Sequence, residues 1–317
     1  MTTLSGIVLQ FFELLLAVLA APLLTGWVNV CRAWMQNRSA PPVLTPYRVL
    51  LKLFTKEPVL AYNASSLFRI TPYILFGCMC LAAAIVPTLN INLPINAAAD
   101  AIALVGVFAL ARVFMALAAM DIGTAFGTLG ARREMMIGFL AEPALLMVLF
   151  TSSLISNTTS LSSIVGQMAR MDLVIYPSLA FAGVAYTMVS LAENARIPVD
   201  NPATHLELTM IHEAMLLEYS GRHLALMEWA ASLKLFTYSC MGIALFVPFG
   251  VSDGDSWAGV LVALTALAFK LALGGFLLAL IETMSAKMRI FRAPEFLGTA
   301  FILAVLAMLI HLLLETP

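Results

Sequence analysis

Ionisable side chains interrupt several of the long apolar segments of this sequence. Arg112, Glu142, Lys234 and Lys270 lie inside such segments, and Glu228 lies near the start of one. An ionised side chain near the bilayer centre costs at least about 2.5 to 3.5 kcal/mol on insertion scales, so its presence there favours a functional role. Acids and bases can exchange protons, because their pKa values respond to neighbouring charges. The pattern therefore predicts a polar path for protons through an otherwise apolar protein.

A second concentration of acid lies between two apolar segments, in the stretch LAENARIPVDNPATHLELTMIHEAMLLEYSG, residues 191–221. Crowded, partly desolvated carboxylates have raised pKa values, and an approaching cation lowers them again, so this stretch could hold and release protons. A solvated polar face without such a role is the alternative interpretation. The stretch contains one arginine, Arg196, and five carboxylates, those of Glu193, Asp200, Glu207, Glu213 and Glu218.

Two prolines interrupt this stretch, so the sequence predicts that a fresh helix forms over about residues 203–219. Glu207 and Glu218 are eleven residues apart, which places them on one face of that helix at 3.6 residues per turn. His205 and His212 are seven residues apart, whereas a helical pair that closes on one metal ion is four apart. We therefore expect no metal site here.

Composition places these residues in a membrane. The chain has 317 residues, of which 62% are hydrophobic and 11% charged, whereas a soluble domain carries about 25% charged residues. Eight segments reach the roughly 20 apolar residues needed to cross about 30 Å of hydrocarbon. We expect a single all-α membrane domain over 1–317, with eight transmembrane helices and amphipathic surface helices in the cytoplasmic loops. The predicted spans are 4–28, 70–93, 100–120, 135–156, 173–192, 223–249, 257–282 and 296–314.

Lysine and arginine fall almost entirely on one side of this arrangement. Thirteen of them lie in the segments after the first, third, fifth and seventh spans, whereas the opposite side has only Arg170. Cytoplasmic loops carry the excess of Lys and Arg in membrane proteins. The sequence therefore predicts that these loops are cytoplasmic and that both termini lie on the outer side of the inner membrane.

Residues 47–54, YRVLLKLF, form an amphipathic segment outside the spans. Apolar residues recur at helical spacing while Arg48 and Lys52 lie one turn apart, as in helices at a membrane interface. The segment could anchor the loop to lipid or receive a partner protein. The bases that we expect to take part in partner docking are Arg38, Arg48, Lys52, Arg132, Arg133 and Arg196.

Several motifs resemble those of a known family, the eight-helix membrane subunit shared by respiratory complex I and the membrane-bound nickel–iron hydrogenases. The run at 120–134 is closer to the formate hydrogenlyase and hydrogenase-4 type than to complex I. The resemblance is carried by FRITPY (68–73), MDIGTAFGTLGARRE (120–134), AEP (141–143), AENARIPVD (192–200), EYSG (218–221) and SLK (232–234).

This resemblance implies a subunit without a complete active site, which seats a hydrophilic redox arm on the membrane and couples its electron transfer to H⁺ or Na⁺ translocation. The implied partners are a nickel–iron large subunit, an iron–sulfur subunit and antiporter-like membrane subunits, and no nucleic acid is expected. The cofactors would lie in those partners, since the four cysteines of this chain lack metal-ligand spacing.

The predicted proton path combines inferences from the family resemblance with inferences from the positions of the residues in the sequence. The resemblance assigns six acids to an acidic funnel, and the residues' own positions add the remaining charges. The acids from the resemblance are Glu142, Glu193, Asp200, Glu207, Glu218 and Glu228, and the additions are Arg112, Glu213, Lys234, Lys270 and Glu282.

The sequence departs from the complex I pattern after Asp200. Complex I subunits typically continue with L-P-E-x-E-S-E, whereas this chain continues with NPATHLE and retains only Glu207 of that acidic trio. The departure disfavours a quinone site of the complex I kind. A quinone-binding subunit of a complex I-type NADH:quinone oxidoreductase nevertheless remains the alternative function.

Overall fold

The computed structural model describes residues 3–91, 100–170, 176–200, 210–251 and 257–315. In these ranges every regular element is a helix, which confirms the predicted all-α membrane class. The α-helices are α1 (Thr3–Met35), α2 (Thr45–Phe54), α3 (Ser66–Ile85), α4 (Ala101–Asp121), α5 (Ala125–Ser156), α6 (Leu161–Arg170), α7 (Pro177–Glu193), α8 (His212–Leu216), α9 (Gly221–Phe246), α10 (Trp257–Met284) and α11 (Ala293–Ile310).

Seven stretches of the described chain are long and apolar enough to cross a membrane, in α1, α3, α4, α5, α9, α10 and α11. The predicted span 173–192 corresponds to α7, which has 17 residues and rises about 25 Å at 1.5 Å per residue. Residues 171–175 before it lie outside the described ranges. α7 packs against α5 and α11, so it belongs to the same bundle as the spanning helices.

Several predicted boundaries were wrong. α1 continues to Met35, so Arg32 is helical and not in a loop. The second span ends as a helix at Ile85 instead of 93, because Pro87 disfavours the helical conformation in the residue before it. α5 begins at Ala125, ten residues earlier than predicted. α6 was not predicted at all.

The basic side of the bundle is the side that carries the connections 36–65, 122–124, 194–220 and 285–292. Here α2 confirms the amphipathic helix predicted at 47–54: Leu50 is buried while Arg48 and Lys52 are exposed, and the helix packs on α1 and α9. Of the helix predicted over 203–219, the described residues contain only α8, and Glu207 lies outside them.

A continuous hydrophobic core joins most of the helices, with α4, α5, α7, α9 and α11 contributing its centre. Near the opposite side, buried Glu13 of α1 accepts hydrogen bonds from Thr88 Oγ1 (3.1 Å) and the Asn90 amide (3.0 Å). This carboxylate fastens the connection after α3 to the bundle, which gives Glu13 a structural explanation.

Candidate functional site

Arg112 is the centre of a buried charge cluster. It lies on α4, nine residues before the helix ends at Asp121, and 6% of its surface is exposed. Its guanidinium contacts Glu142 (Nη1 to Oε1, 2.5 Å), Glu134 (Nε to Oε1, 3.5 Å) and Glu193 (through Nη2). Arg112 and Glu142, two of the predicted path residues, are therefore paired, and two further acids join them.

The sequence of α5 explains how Arg112 fits between two carboxylates. Glu134, Gly138 and Glu142 recur every four residues, so they lie on one face of the helix. A Cβ atom at Gly138 would lie 2.7 Å from Cδ of Arg112, closer than carbon atoms pack. The glycine thus leaves the gap that the arginine fills. The spacing E-x3-G-x3-E in α5 is the sequence signal that could have identified Glu134 as a partner of Arg112.

Lys234 of α9 completes the cluster. Its Nζ lies 2.9 Å from Oε2 of Glu193, the last residue of α7. We call Arg112, Glu134, Glu142, Glu193 and Lys234 the Arg112 cluster. Its three acids face two bases, so the cluster can accept one proton without burying an uncompensated positive charge.

A second buried ion group lies closer to the basic side. Glu282, at the end of α10, accepts a bond from Arg196 Nη1 (3.2 Å) and also contacts Arg32. Asp200 pairs with Lys287 at 3.0 Å. Arg196, one of the predicted docking bases, is buried: burial lowers the pKa of its guanidinium while Glu282 raises it. Sequence reasoning missed Arg32, because the first span was ended too early.

A polar cavity of about 310 Å³ lies between these two groups. Glu193 and Lys234 line its inner end, and Arg32, Arg196 and Asp200 belong to its other walls. Twelve of its sixteen lining residues are polar or charged, including the predicted path residues Glu213 and Glu228. The cavity is therefore lined by four of the eight predicted path acids, Glu193, Asp200, Glu213 and Glu228.

The structure separates two predicted path residues from this site. Lys270 of α10 donates to the backbone carbonyls of Val247 (2.6 Å) and Phe249, so it binds the end of α9 away from the Arg112 cluster. Glu218 is exposed beyond the end of α8 and is not among the residues that line the 310 Å³ cavity. Glu207 cannot be placed, because it falls among residues 201–209.

Other contacts seat the segment between α8 and α9. Tyr219 stacks on Phe68 of α3 with ring centroids 3.9 Å apart, and its hydroxyl donates to the Phe68 carbonyl at 3.1 Å. Burial raises the pKa of this phenol. Ser220 exchanges two hydrogen bonds with the backbone of Val59. The EYSG motif thus joins α9 to the connection between α2 and α3.

The remaining predicted docking bases lie on the basic side. Arg38, Arg48, Lys52 and Arg132 are exposed, and all but Arg132 belong to α2 or the connection before it. Arg133 is half-buried and donates to the carbonyl of Met210 at 2.9 Å. Four bases are therefore available to a partner on this surface.

This fold and this buried polar site belong to a recognised class of membrane protein. A family model described as NADH dehydrogenase matches residues 7–313, and the chain belongs to that family. Formate hydrogenlyase subunit 4 of Escherichia coli is 32% identical over 95% of this chain and 97% of its own length. Hydrogenase-4 component C of Escherichia coli is 31% identical over 95% of this chain and 94% of its own.

More distant relatives share the fold. One of the subunits of NADH-quinone oxidoreductase from Rickettsia bellii is 27% identical over 71% of this chain and 69% of its own. The solved structure of the membrane-bound sulfane sulfur reductase, an archaeal respiratory membrane complex, contains a chain that superposes with a TM-score of 0.81. That match covers 96% of this chain and 98% of the other at 18% identity, so it supports the fold alone.

Proposed function

We propose that this chain is the membrane-anchor and proton-path subunit of a membrane-bound oxidoreductase of the formate hydrogenlyase type, a group 4 nickel–iron hydrogenase complex. It docks a hydrophilic redox arm on its basic side and couples electron transfer in that arm to H⁺ or Na⁺ translocation. The observation that carries the proposal is the Arg112 cluster, in which Arg112 contacts three acids and Lys234 contacts one of them at the inner end of a polar cavity. The two Escherichia coli relatives support this type of complex.

The proposed path begins at the basic side, in the 310 Å³ cavity. Glu193 joins this cavity to the Arg112 cluster, since it lines the cavity and contacts both Lys234 and Arg112. Glu142 lies on the far side of Arg112. A charge change in the arm would shift the proton affinity of these acids. By linkage, protonation of these acids would shift the equilibrium of the charge change in the arm by the same free energy.

Glu142 also gives the path a lateral exit. Its side chain is 30% exposed, and the residue lines a second cavity, of about 620 Å³, between α4, α5 and α11. The other walls of that cavity are apolar, with Phe139, Leu146 and Phe301 among them. We place an antiporter-like membrane subunit against this opening, where it would receive the proton.

The alternative, a quinone-binding subunit of complex I type, draws on the family match and on an apolar cavity of about 370 Å³ between α1, α9 and α10. The polar lining of the 310 Å³ cavity suits water and protons better than a lipid-soluble quinone. We therefore favour the hydrogenase type, with iron–sulfur clusters and the nickel–iron centre in partner subunits and none in this chain.

A photocrosslinking experiment tests the docking surface. We place the chain in the inner membrane with its termini outside, so that α2 faces the cytoplasmic arm. A photoreactive amino acid at exposed Lys52 should crosslink to a soluble subunit, whereas one at Gln167, exposed on α6 of the opposite side, should not. Crosslinks from Gln167 and none from Lys52 would reverse the orientation and remove this docking surface.

Glu142→Gln tests the proton path. Glutamine keeps the shape and hydrogen bonding of the side chain but cannot release a proton, so the complex should assemble while proton translocation slows at least about tenfold, within the usual range for removing an acid or base. Glu218→Gln is the matched control, because that acid is exposed and lies beyond α8. Translocation in proteoliposomes would be measured with a pH-sensitive dye. Equal wild-type rates in both variants would exclude Glu142 from the path.

A further inference from the structure

A further small cavity, separate from the 620 Å³ cavity, lies behind the 310 Å³ polar cavity, on the other side of α8. Its volume is about 40 Å³, and its polar walls are the side chains of Arg112, Glu134, His212 and Lys234. Holding a water molecule takes only about 10 to 15 Å³ of such volume and two to four polar partners. The small cavity can therefore hold water beside Glu134, at the inner edge of the Arg112 cluster.

Three residues line both the small cavity and the 310 Å³ cavity, namely His212, Lys234 and Ala231, and the first two of these are ionisable. The ammonium of Lys234 is held by Glu193 at 2.9 Å. His212 is an imidazole, the side chain best suited to accept a proton on one nitrogen and donate one from the other near neutral pH. It therefore stands at the boundary between two cavities large enough to hold water, with the chemistry to connect them.

The backbone fixes His212 in this position. Its amide donates to Oδ2 of Asp200 at 3.2 Å, and Arg133 holds the carbonyl of Met210 two residues earlier at 2.9 Å. α8 packs so closely on α5 that a Cβ at Gly130 would lie 2.9 Å from the carbonyl oxygen of Ile211. Three separate contacts therefore hold the short helix, and with it the imidazole, against the cluster.

Charged groups face His212 from every side that packs on it. They are Glu134 from α5, Lys234 from α9 and Asp200 from the segment after α7, with Arg112 of α4 in the same small cavity. Burial lowers the pKa of His212 from its ordinary value of 6.5; Glu134 and Asp200 oppose this effect and Lys234 adds to it. The imidazole is therefore neutral near pH 7, the state in which it can accept a proton.

We propose that His212 relays protons between the 310 Å³ cavity and the small cavity, and so supplies the Arg112 cluster with protons from the basic side. Water in the outer cavity gives a proton to one ring nitrogen, and the other nitrogen releases its proton through water in the small cavity to Glu134. Exchange of the two tautomers returns the ring to its starting state. This inference rests on the proposed function.

The test uses the purified complex with its partner subunits in proteoliposomes. His212→Gln should assemble and lower the rate of proton translocation at least about tenfold. His223→Gln is the matched control, because His223 packs edge-on against Tyr73 and lines neither cavity; it should keep the wild-type rate. Glu142→Gln serves as the reference for a blocked path.

The pH profile separates a proton relay from a structural role. The protonated fraction of an imidazole with a low pKa rises about tenfold for each pH unit as the pH falls towards that pKa. Wild-type translocation should therefore rise between pH 8 and pH 6.5, whereas His212→Gln should lose this rise. Adding imidazole to the His212→Ala complex should restore this rise in the translocation rate. If His212 had only a structural role, added imidazole would not restore the rise.

Each outcome decides one of the two proposals. A wild-type rate and profile in His212→Gln, with Glu142→Gln impaired, would overturn the relay and leave the proposed function standing. Wild-type rates in both variants would overturn the proposed function itself. If His212→Gln fails to assemble, the His212→Ala complex decides the question, and lack of rescue by imidazole counts against the relay.

Discussion

Replacement of Arg112 by methionine is expected to destabilise the folded protein strongly. The guanidinium contacts Glu134, Glu142 and Glu193, and its loss leaves these acids with Lys234 as their remaining base. Removing one member of a buried ion pair costs about 3 to 5 kcal/mol, a large part of the 5 to 15 kcal/mol that typically stabilises a fold. Thermal unfolding, followed with a thiol-reactive dye on the buried cysteines, would measure the loss.

Arg38→Met is the matched control, because Arg38 is exposed on the basic side and its replacement should leave the unfolding temperature unchanged. Adding Glu142→Gln to Arg112→Met should recover part of the lost stability, since one uncompensated acid disappears. An Arg112→Met protein as stable as Arg38→Met would show that this cluster does not stabilise the fold.

The second large effect is expected at Gly138, where one methyl group should displace Arg112. The added Cβ would lie 2.7 Å from Cδ of Arg112 and would also overlap its guanidinium. Overpacking costs about 1 to 3 kcal/mol, and lengthening the contacts to Glu134 and Glu142 adds to that cost. We expect Gly138→Ala to lower the unfolding temperature and to slow proton translocation together.

Gly77→Ala controls for the intrinsic effect of alanine in a helix. A Cβ at Gly77 of α3 meets no atom within 4 Å, so the variant should gain up to about 1 kcal/mol from helix propensity. Stability changes of opposite sign in Gly138→Ala and Gly77→Ala would confirm the close approach of Arg112 to the backbone at Gly138. Stabilisation of both would contradict it.

Sequence reasoning found the fold class because apolar length and charge placement are local properties. The spans, α2 and the inclusion of Arg112 and Glu142 in the polar path follow from composition, helical period and depth in the membrane. The shortened second span was missed because a hydropathy pattern does not distinguish an apolar loop from an apolar helix. The first ten residues of α5 were missed because their glycines and charged residues lower the local hydropathy.

Contacts between distant segments could not be read from the chain. Lys234 binds Glu193 across 41 residues and Arg32 binds Glu282 across 250, and no local pattern specifies either pair. The partners of Lys270 could not be read from the chain either. Its depth in a span suggested a role in the path, whereas carbonyls at the end of α9 satisfy it. Depth identifies a side chain that needs a partner, and only the packing decides which partner it finds.

The order of the charges along the chain bears on how the protein enters the membrane. Arg112 lies on α4 and its partners Glu134 and Glu142 lie on α5, and only residues 122–124 separate the two helices. The two helices can therefore leave the insertion machinery as one hairpin, with the arginine neutralised before any later helix is made. Glu193 and Lys234 follow on α7 and α9 as a second acid and base. The order of synthesis thus gives Arg112 and Lys234 each a neighbouring acid on an adjacent helix of the described bundle. Neither base is therefore exposed to lipid as an unpaired charge before the bundle is complete.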